Sequence, residues 1–135
     1  MNSFRLKIVT PDGMQFDGQA QELIVRTTSG DLGILAGHIN CVAPLGMGKA
    51  TVMVEDEKRY AACIGGMVSV VDGAVTLVPT TFEWADKIDV SRAEASRQRA
   101  ESILQDKTST DTDIHLAEAR LKRALIRKSV AQIKR

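Results

Sequence analysis

Few side chains in this sequence are arranged for catalysis. The two histidines, His38 and His115, have no second metal ligand at a typical spacing, and no serine or cysteine has a base beside it along the chain. The two cysteines, Cys41 and Cys63, lie in apolar surroundings and are expected to be reduced core residues. We therefore predict no catalytic residue and no metal site.

A basic cluster near the C-terminus is the first candidate for binding. Residues 116–135 carry seven basic side chains and one acid, whereas residues 1–84 carry six basic and nine acidic side chains. Arg120, Arg123 and Arg127 are three and four residues apart, so they fall on one side of a helix and repel one another unless an anion lies among them. The partner predicted here is an anionic protein surface, a nucleotide or a nucleic acid. The seven basic residues are Arg120, Lys122, Arg123, Arg127, Lys128, Lys134 and Arg135.

The second candidate is the segment that spans residues 88–93, Ile-Asp-Val-Ser-Arg-Ala, with Glu83 shortly before it. Taken alone, Asp89 or Ser91 is most simply the residue that caps a helix. Ser91 and Glu94 also have the spacing of a capping box, in which each side chain bonds to the other's backbone.

Two different patterns divide the chain near Trp84. Every glycine and proline lies at or before Pro79, and short strand signals alternate with turns throughout this part. Asp72-Gly73 between two alternating runs is typical of a type I′ hairpin, and the glycine pairs in residues 30–33 and 46–48 are interpreted as turns. We predict a β-sandwich or flattened barrel over residues 1–84.

The remaining residues, 85–135, are predicted to form two helices separated by the polar segment 107–113. Alanine dominates the apolar face of each helix, and each buried CH₂-sized group contributes only about 0.8 kcal/mol. A hairpin held together this weakly must lean on another surface and is able to open. The apolar positions are Ala93, Ala100, Ile103 and Leu104 in the first helix and Ile114, Ala117, Leu121, Ala124, Leu125 and Ala131 in the second.

Several segments, in this order, resemble the epsilon subunits of bacterial F-type ATP synthases, and the likeness runs the whole length of the chain. They are residues 9–13, 30–38 (taken as a long loop), 43–45, 65–70 and 121–124. The resemblance implies fold class β + α, with a ten-stranded N-terminal β-sandwich followed by a C-terminal two-helix antiparallel hairpin.

The resemblance also implies a non-catalytic rotor subunit of the central stalk, on the cytoplasmic side of the bacterial cell membrane and attached to it only through the complex. The sandwich would bind the gamma subunit and the c-subunit ring, with Asp31 and His38 in the contact. The helices would extend toward the alpha and beta subunits, where Arg123, Arg127 and Lys128 would meet an acidic loop and hinder ATP hydrolysis. The whole enzyme would couple proton translocation to ATP synthesis.

Residues 88–93 match a motif through which many such subunits bind ATP. The resemblance therefore implies ATP as a regulatory ligand, with or without Mg²⁺, and no required cofactor. Leu116 stands where arginine is frequent, which would remove one phosphate partner, and Met67 stands where an aromatic is common. The expected ATP-binding residues are Glu83, Ile88, Asp89, Arg92 and Ala93 around the base and ribose, and Arg99, Arg123 and Arg127 at the phosphates.

Two rival functions are a nucleic-acid-binding module and a small hydrolase. The basic helix favours the first, but the β-domain is acidic and has few aromatic rings on which bases would stack. The second requires a nucleophile beside a base, which the sequence does not offer. We expect no nucleic-acid partner.

Overall fold

The structure is a computed structural model that describes residues 2–133. Within this part of the chain, eight strands are followed by a single 3₁₀ turn and two helices. The strands are β1 (Phe4–Thr10), β2 (Gly13–Ala20), β3 (Glu22–Thr27), β4 (Gly30–Leu35), β5 (Cys41–Pro44), β6 (Met47–Val54), β7 (Glu57–Val71) and β8 (Ala74–Trp84); the 3₁₀ turn is Ala85–Lys87, and the helices are α1 (Val90–Gln105) and α2 (Asp111–Ala131).

The strands are hydrogen-bonded in the order β2-β1-β8-β7-β6-β3-β4, and β5 pairs with β7 outside this path. Every pair is antiparallel except β1 with β8, which run parallel. Burial alternates along β1, so one side chain in two points inward, as the pleat of a strand requires. The inward side chains meet in one hydrophobic core, which includes Leu6, Ile8, Leu23, Val25, Ile34, Val52, Val68 and Leu77.

The expectation of ten strands is wrong by two, because β7 and β8 are long and uninterrupted. The first part of β7 pairs with β6 and its last part pairs with β5, so one strand has the neighbours that two shorter strands would have. Along its other edge β7 pairs with β8 in a single register, from Ala61 opposite Trp84 to Val71 opposite Ala74.

Glycine allows the β7–β8 pair to remain continuous and to turn tightly. A Cβ atom on Gly66 would lie 2.0 Å from the backbone oxygen of Val78, so only glycine permits this approach. The predicted hairpin at Asp72-Gly73 is confirmed, since both residues have positive φ angles of 49° and 84°.

Two segments interpreted as turns belong instead to strands. Residues 30–33 lie in β4, so the long loop expected over residues 30–38 is a β-strand followed by a short turn, and residues 47–48 begin β6. Pairing with β3 in the first place and with β7 in the second overrides the local preference of glycine for turns.

Each helix begins at a capping residue. The carboxylate of Asp89 accepts a hydrogen bond from the Arg92 backbone N–H at 3.0 Å, so Asp89 caps α1 and the capping box expected at Ser91 and Glu94 is wrong. A capping box does occur at α2, between Thr110 and Asp113.

The helices pack along each other as an antiparallel hairpin, because only residues 106–110 connect them. Their seam is alanine-rich, as the sequence predicts. Among the expected apolar positions Leu125 is 47% exposed, whereas Val130, outside that set, is buried. α2 also contacts β6 and β7, so it lies between α1 and the sandwich. The buried helical residues are Ala93, Ala100, Ala117, Ala124 and Val130.

Candidate functional site

A cleft of about 610 Å³ opens where the hairpin meets the end of β8. Its walls come from the turn between β1 and β2, from β8, from the junction and from both helices, so it exists only while the hairpin lies against the sandwich. The residues that line it are Asp12, Thr81, Phe82, Glu83, Lys87, Asp89, Arg92, Ala93, Ser96, Arg99, Arg120, Arg123 and Arg127.

The cleft is strongly basic. Six basic and three acidic side chains line it, which gives a net charge of +3. Arg92, Arg99 and Arg123 form no ion pair with any carboxylate of residues 2–133. Unpaired guanidinium groups that converge on one opening favour a polyanionic ligand.

Seven of the eight residues predicted to bind ATP line this cleft. Residues 83, 89, 92, 93, 99, 123 and 127 are far apart in sequence, and the cleft brings them together. Ile88 is the exception. It is half-buried beside the cleft, and its N–H bonds to the Ala85 carbonyl at the end of the 3₁₀ turn.

Arg127 already has a partner in this conformation. Its Nε donates to a Glu83 carboxylate oxygen at 2.6 Å, which joins the end of β8 to α2. Both side chains are largely shielded from solvent, so this charge-assisted bond is stronger than an exposed ion pair. An anion that binds Arg127 must share it with Glu83 or displace that carboxylate.

A second group of ion pairs holds α1 to α2. Glu94 accepts bonds from Arg97 in its own helix and from Lys128 in α2, and Arg97 also donates to Glu101 at 2.6 Å. The hydrogen bonds from Arg97 and then from Lys128 lower the pKa of Glu94 from 4.5 to about 2. Lys128, predicted to contact a partner subunit, is therefore occupied within the folded hairpin.

Sequence reasoning left several cleft residues out of the site. Arg120 was predicted to lie on the same side of the helix as Arg123 and Arg127, and it lines the cleft with them. Leu116 is exposed and does not line the cleft. Lys87, Ser96 and Thr81 belong to none of the motifs, and Asp12 belongs to residues 9–13, which resemble the family but were not assigned to the site. Asp12 and Thr81 are brought together because β1 runs parallel to β8, a pairing that local patterns do not reveal.

The two residues predicted to contact the gamma subunit and the ring lie on a different part of the sandwich. Asp31 is exposed on β4 and is paired with Arg26 at 3.1 Å. His38 follows β4, and its Nδ1 lies 2.8 Å from the Ile39 carbonyl oxygen and 4.0 Å from the sulfur of Cys41. Several apolar side chains in β4, β5, β7, β8 and the segment after β4 are exposed: Leu35, Ile39, Val42, Met67, Val71 and Val78.

Cys63 is buried in the core, as the sequence predicts, and burial raises its thiol pKa to about 12. Cys41 is half-buried, and both cysteines are free thiols. Among residues 2–133, no group of three or more His, Cys, Asp or Glu side chains is placed to hold a metal ion. No helix in that range is long and apolar enough to span a membrane.

The chain therefore consists of a β-sandwich and a helical hairpin, with a basic cleft between them. Comparison with family models gives the same division. The beta-sandwich domain of the ATP synthase delta/epsilon chain matches residues 3–85, and the long alpha-helix domain of that chain matches residues 86–132.

Relatives that match this chain over nearly its whole length indicate the same family. An ATP synthase epsilon chain of Ruminococcus albus is 44% identical over 99% of this chain and 100% of its own length. One from Bacillus velezensis is 44% identical over 97% of this chain and 98% of its own. The chain therefore belongs to the ATP synthase delta/epsilon chain family and, within it, to the epsilon chains of bacteria.

Two solved structures share the fold at low sequence identity. A chain of the Euglena gracilis mitochondrial ATP synthase, from an OSCP/F1/c-ring structure, matches with a TM-score of 0.82 and 22% identity, covering 94% of this chain and 80% of that one. A chain from the central stalk and c-ring of the Tetrahymena thermophila enzyme matches with a TM-score of 0.61 and 16% identity, covering 95% and 96%. The architecture is thus shared with chains of mitochondrial rotary enzymes.

Proposed function

We propose that this chain is a rotor subunit of the central stalk that restrains ATP hydrolysis with its helices and is itself controlled by ATP. In this proposal residues 1–84 dock onto the gamma subunit and the c-subunit ring, and residues 85–135 respond to ATP. The observation that carries it is the basic cleft between the two parts. A ligand bound there touches both, so it stabilises the folded hairpin relative to an open one.

The charges of the cleft suit a nucleoside triphosphate. Arg99 and Arg123 are unpaired in the described chain and stand on facing helices, where phosphate oxygens would join them. Asp89 and Arg92 lie at the start of α1, between the phosphate-facing arginines and β8. The expected site is the one predicted from the sequence, with Arg120 added at the phosphates.

The energies make ATP an effective switch. Four buried alanines dominate the seam, and their methyl groups contribute about 3 kcal/mol together. A ligand present at 100 times its dissociation constant adds about 2.7 kcal/mol to the state that binds it. ATP at that multiple of its dissociation constant would therefore add about as much free energy as the alanine methyl groups supply.

Calorimetric titration of the isolated chain with ATP, with and without Mg²⁺, tests this site. Arg92→Ala and Arg123→Ala should each weaken binding about tenfold or more, because each removes a charged hydrogen-bond donor. Lys58→Ala, an exposed position in β7 outside the cleft, is the matched control and should bind as the wild type does.

Millimolar ATP that gives neither heat nor a rise in melting temperature would exclude the nucleotide switch. Equal affinities for Arg92→Ala, Arg123→Ala and Lys58→Ala would mean that ATP binds outside this cleft. Asp89→Ala is less informative, since it also removes the cap of α1.

Docking to the stalk would use the exposed apolar side of the sandwich. Val42, Met67 and Val78 stand on adjacent strands, because Met67 pairs with both Pro44 and Val78. Exposed apolar side chains that cluster in this way are typical of a protein interface. Gamma is the proposed partner of this surface, and Asp31 and His38 at its edge would face the ring.

Co-purification with gamma and the ring tests the docking surface. Asp31→Lys should reduce the amount of complex recovered far more than Asp56→Lys, which changes an equally exposed acid in the β6–β7 turn. Because Asp31→Lys also breaks the pair with Arg26, Arg26→Ala is measured beside it. Equal recovery with both lysine variants would remove this edge from the interface.

Inhibition would require the alpha and beta subunits to meet α2 in an extended hairpin. In the folded state Arg127 is bonded to Glu83 and Lys128 to Glu94. These side chains become available to an acidic catalytic subunit only after the internal pairs break. The proposal also includes a peripheral position on the cytoplasmic side of the membrane, as part of such a complex.

A further inference from the structure

The two walls of the cleft differ in chemistry. The hairpin wall presents hydrogen-bond donors, chiefly the guanidinium groups of α1 and α2. The sandwich wall presents acceptors instead: the carboxylate of Asp12, the hydroxyl of Thr81 and the carboxylate of Glu83. Thr81 and Glu83 are two residues apart on β8, so their side chains point to the same face of the sheet.

Two of these acceptors lack partners within the described chain. The Asp12 carboxylate is exposed and forms no ion pair or hydrogen bond with any other residue from 2 to 133, although its backbone N–H bonds to Thr10 at 3.2 Å. The side-chain oxygen of Thr81 is buried, and within the same residues it has no hydrogen-bond partner. A buried oxygen without a partner is costly, but it is closed to a ligand, so the exposed Asp12 carboxylate is the acceptor that a ligand in the cleft can reach.

A carboxylate accepts hydrogen bonds and repels phosphate, so Asp12 cannot belong to the phosphate end of the site. We propose that Asp12 forms the nucleoside-reading end of the cleft and accepts hydrogen bonds from a sugar hydroxyl or a base amino group. This inference rests on the proposed nucleotide site and adds Asp12 to the nucleoside end that is already expected there. The phosphates lie toward α2, and the nucleoside lies against the sandwich.

The direction explains how a ligand ties the two domains together. A ligand held only by the arginines would bridge α1 to α2. The two helices could then still dissociate together from the sandwich. A nucleoside bonded to Asp12 also fixes the hairpin to the β1–β2 turn. Asp12 is therefore a specificity-determining residue in this proposal, and inorganic polyphosphate would not replace a nucleotide.

The test compares ATP with inorganic tripolyphosphate on full-length Asp12→Asn and Thr81→Val. Asp12→Asn removes one negative charge from the cleft, so it should leave tripolyphosphate affinity unchanged or raise it. The same variant should weaken ATP binding about tenfold, because a charged acceptor is lost from the nucleoside. Thr81→Val should leave the affinities for both ligands close to those of the wild type, because the Thr81 oxygen is buried and closed to a ligand. Melting temperatures confirm that each variant is folded.

Asp72→Asn is the matched control, since Asp72 is also an exposed turn acid but lies outside the cleft. Titration with 2′-deoxyATP, which lacks the 2′-hydroxyl, and with inosine triphosphate, which lacks the base amino group, shows which donor Asp12 contacts. The wild type should bind the analogue that lacks this donor more weakly than ATP. Asp12→Asn should bind that analogue and ATP equally. If Asp12→Asn binds ATP as tightly as the wild type or more tightly, this inference is overturned. The proposed nucleotide site is not affected by that result. Absence of ATP binding by the wild type would overturn both.

Discussion

Closure of the hairpin depends on how closely its two helices approach, and Ala100 is the position at which to change that distance. This residue is 1% exposed and lies on α1, which packs chiefly against α2. Ala100→Leu inserts three carbon atoms into the seam. Overpacking of this kind costs about 1–3 kcal/mol, which is a large part of the roughly 3 kcal/mol that the alanine methyl groups supply.

The expected result is a fall of about 5- to 150-fold in the ratio of closed to open hairpin. Trypsin reports this ratio directly, because α2 is rich in arginine and lysine and is cleaved in the open state. The rate of cleavage at Arg120, Lys122 and Arg123 should rise by the same factor. Saturating ATP should reverse most of the increase, since it stabilises the closed state by a comparable amount.

Ala95→Leu is the matched control, because Ala95 lies on the exposed side of the same helix. Its cleavage rate should stay close to that of the wild type, since leucine and alanine differ by only a few tenths of a kcal/mol in helix propensity. If Ala100→Leu is cleaved no faster than Ala95→Leu, the alanine seam does not control closure and the reasoning is refuted.

Two further predictions concern the charged residues of the hairpin. Replacing Arg123, Arg127 and Lys128 with alanine should raise ATP hydrolysis by the assembled enzyme. The increase should be smaller in high salt, because salt screens a contact with an acidic subunit. Unchanged hydrolysis at low salt would contradict an inhibitory role for the helix. The folded hairpin lowers the pKa of Glu94 from 4.5 to about 2, so its ion pairs stabilise closure above pH 4.5 and this contribution is lost as the pH falls toward 2. Trypsin is inactive there, so amide hydrogen exchange of α2 is the measurement, and Glu94→Gln should remove this part of the pH dependence.

Much of the fold could be predicted because its signals are local. Asp72-Gly73 allows the positive φ angles of a tight hairpin, and the loss of glycine and proline after Pro79 separates strands from helices. Where the prediction failed, a distant partner decided the outcome. Residues 30–33 form a strand because β3 lies beside them, and β7 remains one strand because Gly66 lets it approach β8 closely.

The site was predictable to a similar degree. The motif at residues 88–93 led to most of the cleft, and the spacing of Arg120, Arg123 and Arg127 indicated their common side. The pair between Arg127 and Glu83 spans 44 positions in sequence, and no local rule connects two such residues. Asp12 was missed for the same reason. Lys134 and Arg135, which were counted in the basic cluster, lie outside the described residues.

The short junction between β8 and α1 sets how far the helices can travel. Only residues 85–89 separate the last strand from α1, so a few backbone dihedral angles in this stretch determine the direction of the whole hairpin. At about 1.5 Å per residue, the 16 residues of α1 and the 21 of α2 laid end to end make a rod of about 55 Å. A small rotation at the base of such a rod is amplified into a displacement of tens of ångströms at its tip. In the proposed open state the junction would act as the pivot of a lever, and stiffening it with proline would shorten the effective reach without altering either helix.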